Sequence, residues 1–213
     1  MHALPCTLAI VEEANGRLLV SGTVAGDHAH DAVRAAVDAT AAGWEYGFDM
    51  AVANPWFCQP LSAVAAAIAA NRRSAAPLAM TVDGGETLNA GAPLVLQVKT
   101  PDRPVSLRID YFTSDGSVVH LLPNPSAPET PLGSNTVLRL GNKADGGRYW
   151  TIGAPYGQEL LVALATPERL FPVERPEQEP AAAYLAALSK ALSARSSALP
   201  DAVAAASFIR TEP

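Results

Sequence analysis

Seven short apolar segments, at 78–82, 94–99, 105–113, 117–122, 136–140, 149–152 and 159–165, constrain this chain more than any other feature. Each is rich in Val, Leu or aromatic residues and is cut off by Gly, Pro, Asn or Asp, the pattern of strands joined by turns. Ser114-Asp115-Gly116 is a tight turn between two of them. Repeated short strands of this kind close into a β-sandwich or barrel. After a proline-rich connector at 172–180, Ala181, Tyr184, Leu185, Leu188 and Leu192 have helical spacing, and 207–211 returns as a final strand.

The chain before residue 71 has a different texture. Segments 7–11 and 17–24 suit strands, and Asn15-Gly16 between them is a hairpin turn because both residues tolerate positive φ. Val33, Ala36, Val37 and Thr40 then follow helical spacing, with Asp31 placed to cap the start and Gly43 to end it. Trp44, Tyr46, Phe48, Met50 and Val52 alternate with smaller or polar residues, as on a strand with one buried face. Pro60 opens a second helix with Leu61, Val64, Ala65 and Ile68 on its buried stripe. The fold class is therefore α+β. A two-layer β-β-α-β-α module at 1–73, its sheet covered by two helices, precedes a β-sandwich-like module with a late helix at 78–213, and the polar 71–77 stretch divides them.

Apolar residues are 49% of the chain and charged ones 17%, enough to fill packed cores. The net charge of -6, with basic residues scattered, excludes a nucleic-acid partner, which requires a clustered excess of Lys and Arg. No run long enough to span a bilayer is present, and the opening Met1-His2-Ala3-Leu4-Pro5 lacks the basic and apolar regions of a signal peptide. Cys6 and Cys58 fit no four-ligand metal site; a disulfide between them is the simplest use, with two buried thiols as the alternative. A bridge would imply an oxidising compartment, periplasmic or otherwise extracytoplasmic.

Several phrases of the second half carry a family resemblance. They are Leu88-Asn89-Ala90-Gly91, Ile109-Asp110-Tyr111-Phe112, Asp115-Gly116, the run Val118-Val119-His120-Leu121-Leu122-Pro123-Asn124, and Ala154-Pro155-Tyr156-Gly157-Gln158-Glu159-Leu160. In order and spacing the 86–171 stretch resembles the domain of unknown function found downstream of bacterial serine/threonine kinase and caspase-like peptidase domains. The first module, with Leu18 to Val24 leading to an Ala/Val helix, is similar in pattern to BON-like modules of bacterial envelope proteins. The resemblance implies the extracytoplasmic sensory region of a kinase, or an accessory of a type VI secretion system. It brings no catalytic residues, and the chain has no Gly-rich loop, H-R-D or D-F-G of a kinase.

Sites for chemistry are few. Asp27-His28-Ala29-His30-Asp31 is the one compact set of potential metal ligands, but it stands at a helix start, where carboxylates are favoured by the dipole, and no metal is expected. His120 sits inside a strand pattern and His2 near the terminus. There is no G-x-S-x-G elbow; Gly84-Gly85 and Gly146-Gly147 are turns, and Glu12-Glu13 lies near a hairpin tip. The remaining carboxylates are expected mostly at turns and helix starts. Two aromatic pairs, Trp56-Phe57 and Tyr149-Trp150, are the candidate interaction surface, one member of each being expected to face outward. The expectation is a non-catalytic envelope module that binds a protein partner and uses no cofactor. Glycan or peptidoglycan binding is the alternative, and hydrolysis a distant third.

Overall fold

A computed structural model describes residues 4–194 and 202–213, so that His2 and the first three residues of the opening segment lie outside the described residues. The chain divides into two compact units, Met1–Ala65 and Ala66–Pro213.

In the first unit β1 (Thr7–Ala14) and β2 (Arg17–Ala25) form an antiparallel hairpin around Asn15 and Gly16, both with positive φ. Gly22 lets the strands close: a Cβ there would lie 2.1 Å from the Leu8 carbonyl oxygen. Helix α1 (Asp27–Thr40) follows, and β3 (Glu45–Ala53) returns parallel to β2, giving the sheet order β1-β2-β3. The helix begins earlier than expected. Gly26, with φ 92°, turns the chain out of β2 and precedes the first helical residue, so Asp27 occupies the first turn and Asp31 is not the cap. Ala29 and Val33 of α1 bury against Val20 and Val24 of β2. On β3 only the middle of the alternating face is covered: Phe48 and Met50 pack on this cluster, while Trp44 and Val52 are exposed.

One turn of 3-10 helix, Pro55–Phe57, leads into α2 (Cys58–Arg72). The division between the units falls within α2, so the 71–77 stretch belongs to the second. There the Asn71 side chain donates to the Leu78 carbonyl and accepts from its N–H, both at 2.8 Å.

The second unit holds two sheets. One is antiparallel and three-stranded: β4 (Ala79–Val82), β6 (Leu96–Lys99) and β9 (Val137–Leu140). The other is six-stranded, in the order β11 (Gln178–Pro180), β8 (Ser117–Leu122), β7 (Ser106–Phe112), β10 (Gly157–Thr166), β12 (Val203–Glu212) and β5 (Thr87–Asn89). Leu96 and Val98 of the small sheet share one buried core with Leu107, Ile109, Leu161 and Ala163 of the large one, which is sandwich packing. Helix α3 (Ala181–Ala194) follows β11, and its Tyr184 ring meets Phe112 and His120 on the other face of the large sheet. This mixed, sheet-rich architecture with its late helix is the α+β class expected.

Local differences have physical causes. Residues 149–152 make isolated bridges, Gly141 with Tyr149 and Pro93 with Thr151, rather than a strand. Three residues of the proline-rich connector form β11, at the sheet edge, where proline costs no ladder bond. The last strand starts at Val203 instead of 207, because its first residues pair with β10, Val203 with Ala165; the parallel β5 pairs only with its end.

Candidate functional site

The sequence candidates lie in separate places. Cys6 and Cys58 are bonded, with Cα atoms 4.4 Å apart, joining the residue before β1 to the first residue of α2. In the 3-10 turn the Asn54 side chain accepts from the Trp56 N–H; Phe57 is fully buried, and the half-buried Trp56 ring stacks on it with centroids 4.2 Å apart. In the second unit Tyr149 is exposed, with the Lys143 ammonium 5.2 Å from its ring centroid, and Trp150 packs partly against the sandwich core. Of the His28/His30 pair, His30 makes an edge contact with Phe48, 5.3 Å between centroids, and Nδ1 stands 3.6 Å from Asp31. Among the described residues no group of three or more His, Cys, Asp or Glu side chains is arranged so that it could hold a metal ion.

The carboxylates correct the sequence reading. Asp110, Glu159 and Glu179 lie on strands, the first two only 2% exposed. Because strand side chains alternate, β7 sends Leu107, Ile109 and Tyr111 to the sandwich and Arg108, Asp110 and Phe112 to the helix face. A polar cluster results on the helix side. His120, with no exposed surface, has Nδ1 2.6 Å from Asp110 Oδ1 and Nε2 3.0 Å from Glu179 Oε1. The second oxygen of Asp110 accepts from the Tyr184 hydroxyl, and Arg108 Nη1 stands 3.7 Å from the first. Arg175 donates to both oxygens of Glu179, the Nε bond being 2.7 Å. The Arg108 guanidinium also lies over the Phe171 ring, 4.9 Å from its centroid.

Each charge in this cluster has a counterpart, as buried charges must. Burial alone would raise the Glu179 carboxyl, but hydrogen bonds from Arg175 and His120 outweigh it and hold it below the ordinary value. Burial, with the Asp110 charge, pushes the Tyr184 hydroxyl well above its ordinary value, so it stays a donor. His120 has carboxylate oxygens at both ring nitrogens, so neither is available to take a proton from a substrate. The cluster joins α3 and β11 to the large sheet and is read as structural.

The sandwich face of the same strands is open at one end. A cleft of about 250 Å³ is lined there by Tyr111, Val119, Trp150, Ile152, Glu159 and Gln178, among others, with Thr113 and Asp115 from the β7–β8 turn. Glu159 and Tyr111 are diagonal neighbours on adjacent strands, since Tyr111 pairs with Leu161, and the Tyr111 hydroxyl donates to Glu159 Oε2. Burial raises the Glu159 carboxyl to about 7, against hydrogen bonds from the Thr211 side chain and the Ser114 backbone that act to lower it. Asp115 is lowered, chiefly by the hydroxyl of Thr113. Among the described residues lining the cleft there are two carboxylates and no Lys, Arg or His. The indole Nε1 of Trp150 is buried and has no hydrogen-bond partner among the described residues.

Of the four aromatic candidates, Trp150 alone lines the cleft; Tyr111 and Glu159, which line it too, were not among the candidates. Both stand in the phrases that carried the family resemblance, and an acid inside an otherwise apolar strand pattern was the available signal.

None of the curated proteins matches the chain. Residues 87–169 match the family described as Domain of unknown function (DUF4384), a span that includes Asp110, Tyr111, His120, Trp150 and Glu159. The C-terminal half of the chain thus carries a domain of unknown function whose matched stretch contains most of the cleft.

Proposed function

We propose that this chain is a non-catalytic binding module of the bacterial cell envelope and that the cleft beside Glu159 receives its ligand. The carrying observation is the contrast between a cleft whose lining acids have no basic residue beside them and a histidine cluster whose groups already hold one another. Occupancy of both His120 nitrogens supports the non-catalytic reading. The disulfide points to an oxidising, extracytoplasmic location, and no helix among the described residues is long and apolar enough to cross a membrane. The family likeness supports a place beside a bacterial serine/threonine kinase as its sensory region, or beside a type VI secretion system as an accessory, with a protein partner of the envelope. A BON-like character of the first unit rests on its β-β-α-β order.

A second reading, glycan or peptidoglycan binding, draws on the Tyr111 and Trp150 rings in the cleft, since aromatic faces suit sugar rings. Titration with soluble peptidoglycan fragments, followed by amide NMR, tests both readings. Saturable shifts at Thr113, Thr151 and Gly153 with the fragments left intact support a binding module. Turnover of the fragments, or shifts confined to sites away from the cleft, would overturn it.

A further inference from the structure

The chemistry of the cleft narrows what it accepts. Its wall combines Tyr111 and Trp150 with Val119 and Ile152, a largely apolar surface suited to an aliphatic stem. Its charged groups are Glu159 and Asp115, and the hydrogen bonds reaching Glu159 come from a phenol, a hydroxyl and a backbone N–H, none of which carries a charge. A carboxylate desolvated beside neutral donors is unlike Asp110 and Glu179, each of which has an arginine at hand. The complement missing from the cleft lining is a cation.

We propose that the cleft binds a primary ammonium on an aliphatic stem, that is, a lysine side chain of the protein partner, with Glu159 as the charge that selects it. This rests on the cleft being the ligand site and names the ligand for it. An ammonium of ordinary pKa stays charged through neutral pH, so the protonation of Glu159 governs the interaction. Binding must strengthen as pH rises through about 7, and below that value a bound ammonium must expel the proton from Glu159.

The probes are Nα-acetyl-lysine methylamide, the uncharged norleucine methylamide, and chitobiose as a neutral saccharide, each titrated into the full chain by calorimetry and amide NMR. The lysine amide is expected to shift the cleft amides saturably and to bind roughly tenfold or more tightly at pH 8 than at pH 5.5. At pH 6.5 it is expected to release protons, read as a dependence of the binding heat on buffer ionisation. Glu159→Gln, isosteric and uncharged, should lose the pH dependence and the proton release together, and Asp115→Asn should retain both. The proposal is overturned if norleucine amide binds as well as lysine amide, or if Glu159→Gln keeps wild-type affinity at pH 8. Chitobiose shifting the cleft while the lysine amide does not would also overturn it, yet leave the cleft as a binding site. If neither these probes nor peptidoglycan fragments move the cleft amides, the inference and the binding reading fall together.

Discussion

Asp110 and Glu159 stand on adjacent strands of one sheet, each 2% exposed, and face opposite ways. On the helix face Asp110 meets an imidazole, a phenol and a guanidinium, and the neighbouring Glu179 meets Arg175, so burial is offset by paired charge. On the sandwich face Glu159 meets donors but no basic group of the cleft lining, and its carboxyl rises to about 7. Two acids with equal burial thus differ in whether the protein compensates their charge. Compensated, such a group fixes an element in place; uncompensated and beside a cleft, it is available to a ligand. The sheet separates the roles because alternation along β7 and β10 allots neighbouring residues to different faces.

The comparison breaks most readily at Asp110. Asp110→Ala leaves His120 and the Tyr184 hydroxyl without their shared acceptor and Arg108 without its counter-charge, and stability measured by chemical denaturation should fall by about 3–5 kcal/mol. A loss below about 1 kcal/mol would mean that the cluster does not hold α3 to the sheet. Tyr184→Phe removes one donor to a charged acceptor and keeps the ring packing on Phe112, so a smaller loss, roughly 1.5–3 kcal/mol, is expected.

Glu159→Gln is the smallest effect and has the opposite sign. Between its ordinary 4.5 and about 7 the folded protein keeps a proton that the unfolded chain has released, so stability falls as pH rises through that window and is level above it. The Gln variant lacks this fall. At pH 8 it should be more stable than the parent by on the order of 1 kcal/mol, a figure reduced for solvent in the cleft, and the two should converge near pH 4.5. A variant less stable than the parent at pH 8 would show that the ionised carboxyl is held by a favourable partner, as Asp110 is.

Much of the scaffold was legible because it depends on local signals. Asn15-Gly16 and Asp115-Gly116 fix their turns through backbone φ, and the strand expected at 117–122 is the one formed. Where neighbours decide, local signals failed. The Ala-rich start of β12 has little strand propensity and is set by its pairing with β10, and β11 is hidden among prolines. The cleft was less legible still. Tyr111 lies 48 residues from Glu159, and His120 lies 59 from Glu179, so both meetings depend on the sheet order. Reading His120 as a strand residue placed it correctly but gave no sign of the charges around it. The aromatic pairs were read from adjacency, which identifies no partner; only Trp150 reaches the cleft.

The most direct measurement is the titration of the Glu159 side-chain carboxyl by carbon NMR in the ligand-free protein, assigned by comparison with Glu159→Gln. A midpoint near 7, with no second acid of the cleft raised beside it, is the result predicted for a buried carboxylate that no cation among the described residues of the cleft lining compensates. A midpoint at or below the ordinary 4.5 would contradict it, because a charge already satisfied by solvent or by a hidden partner has nothing left to offer a ligand.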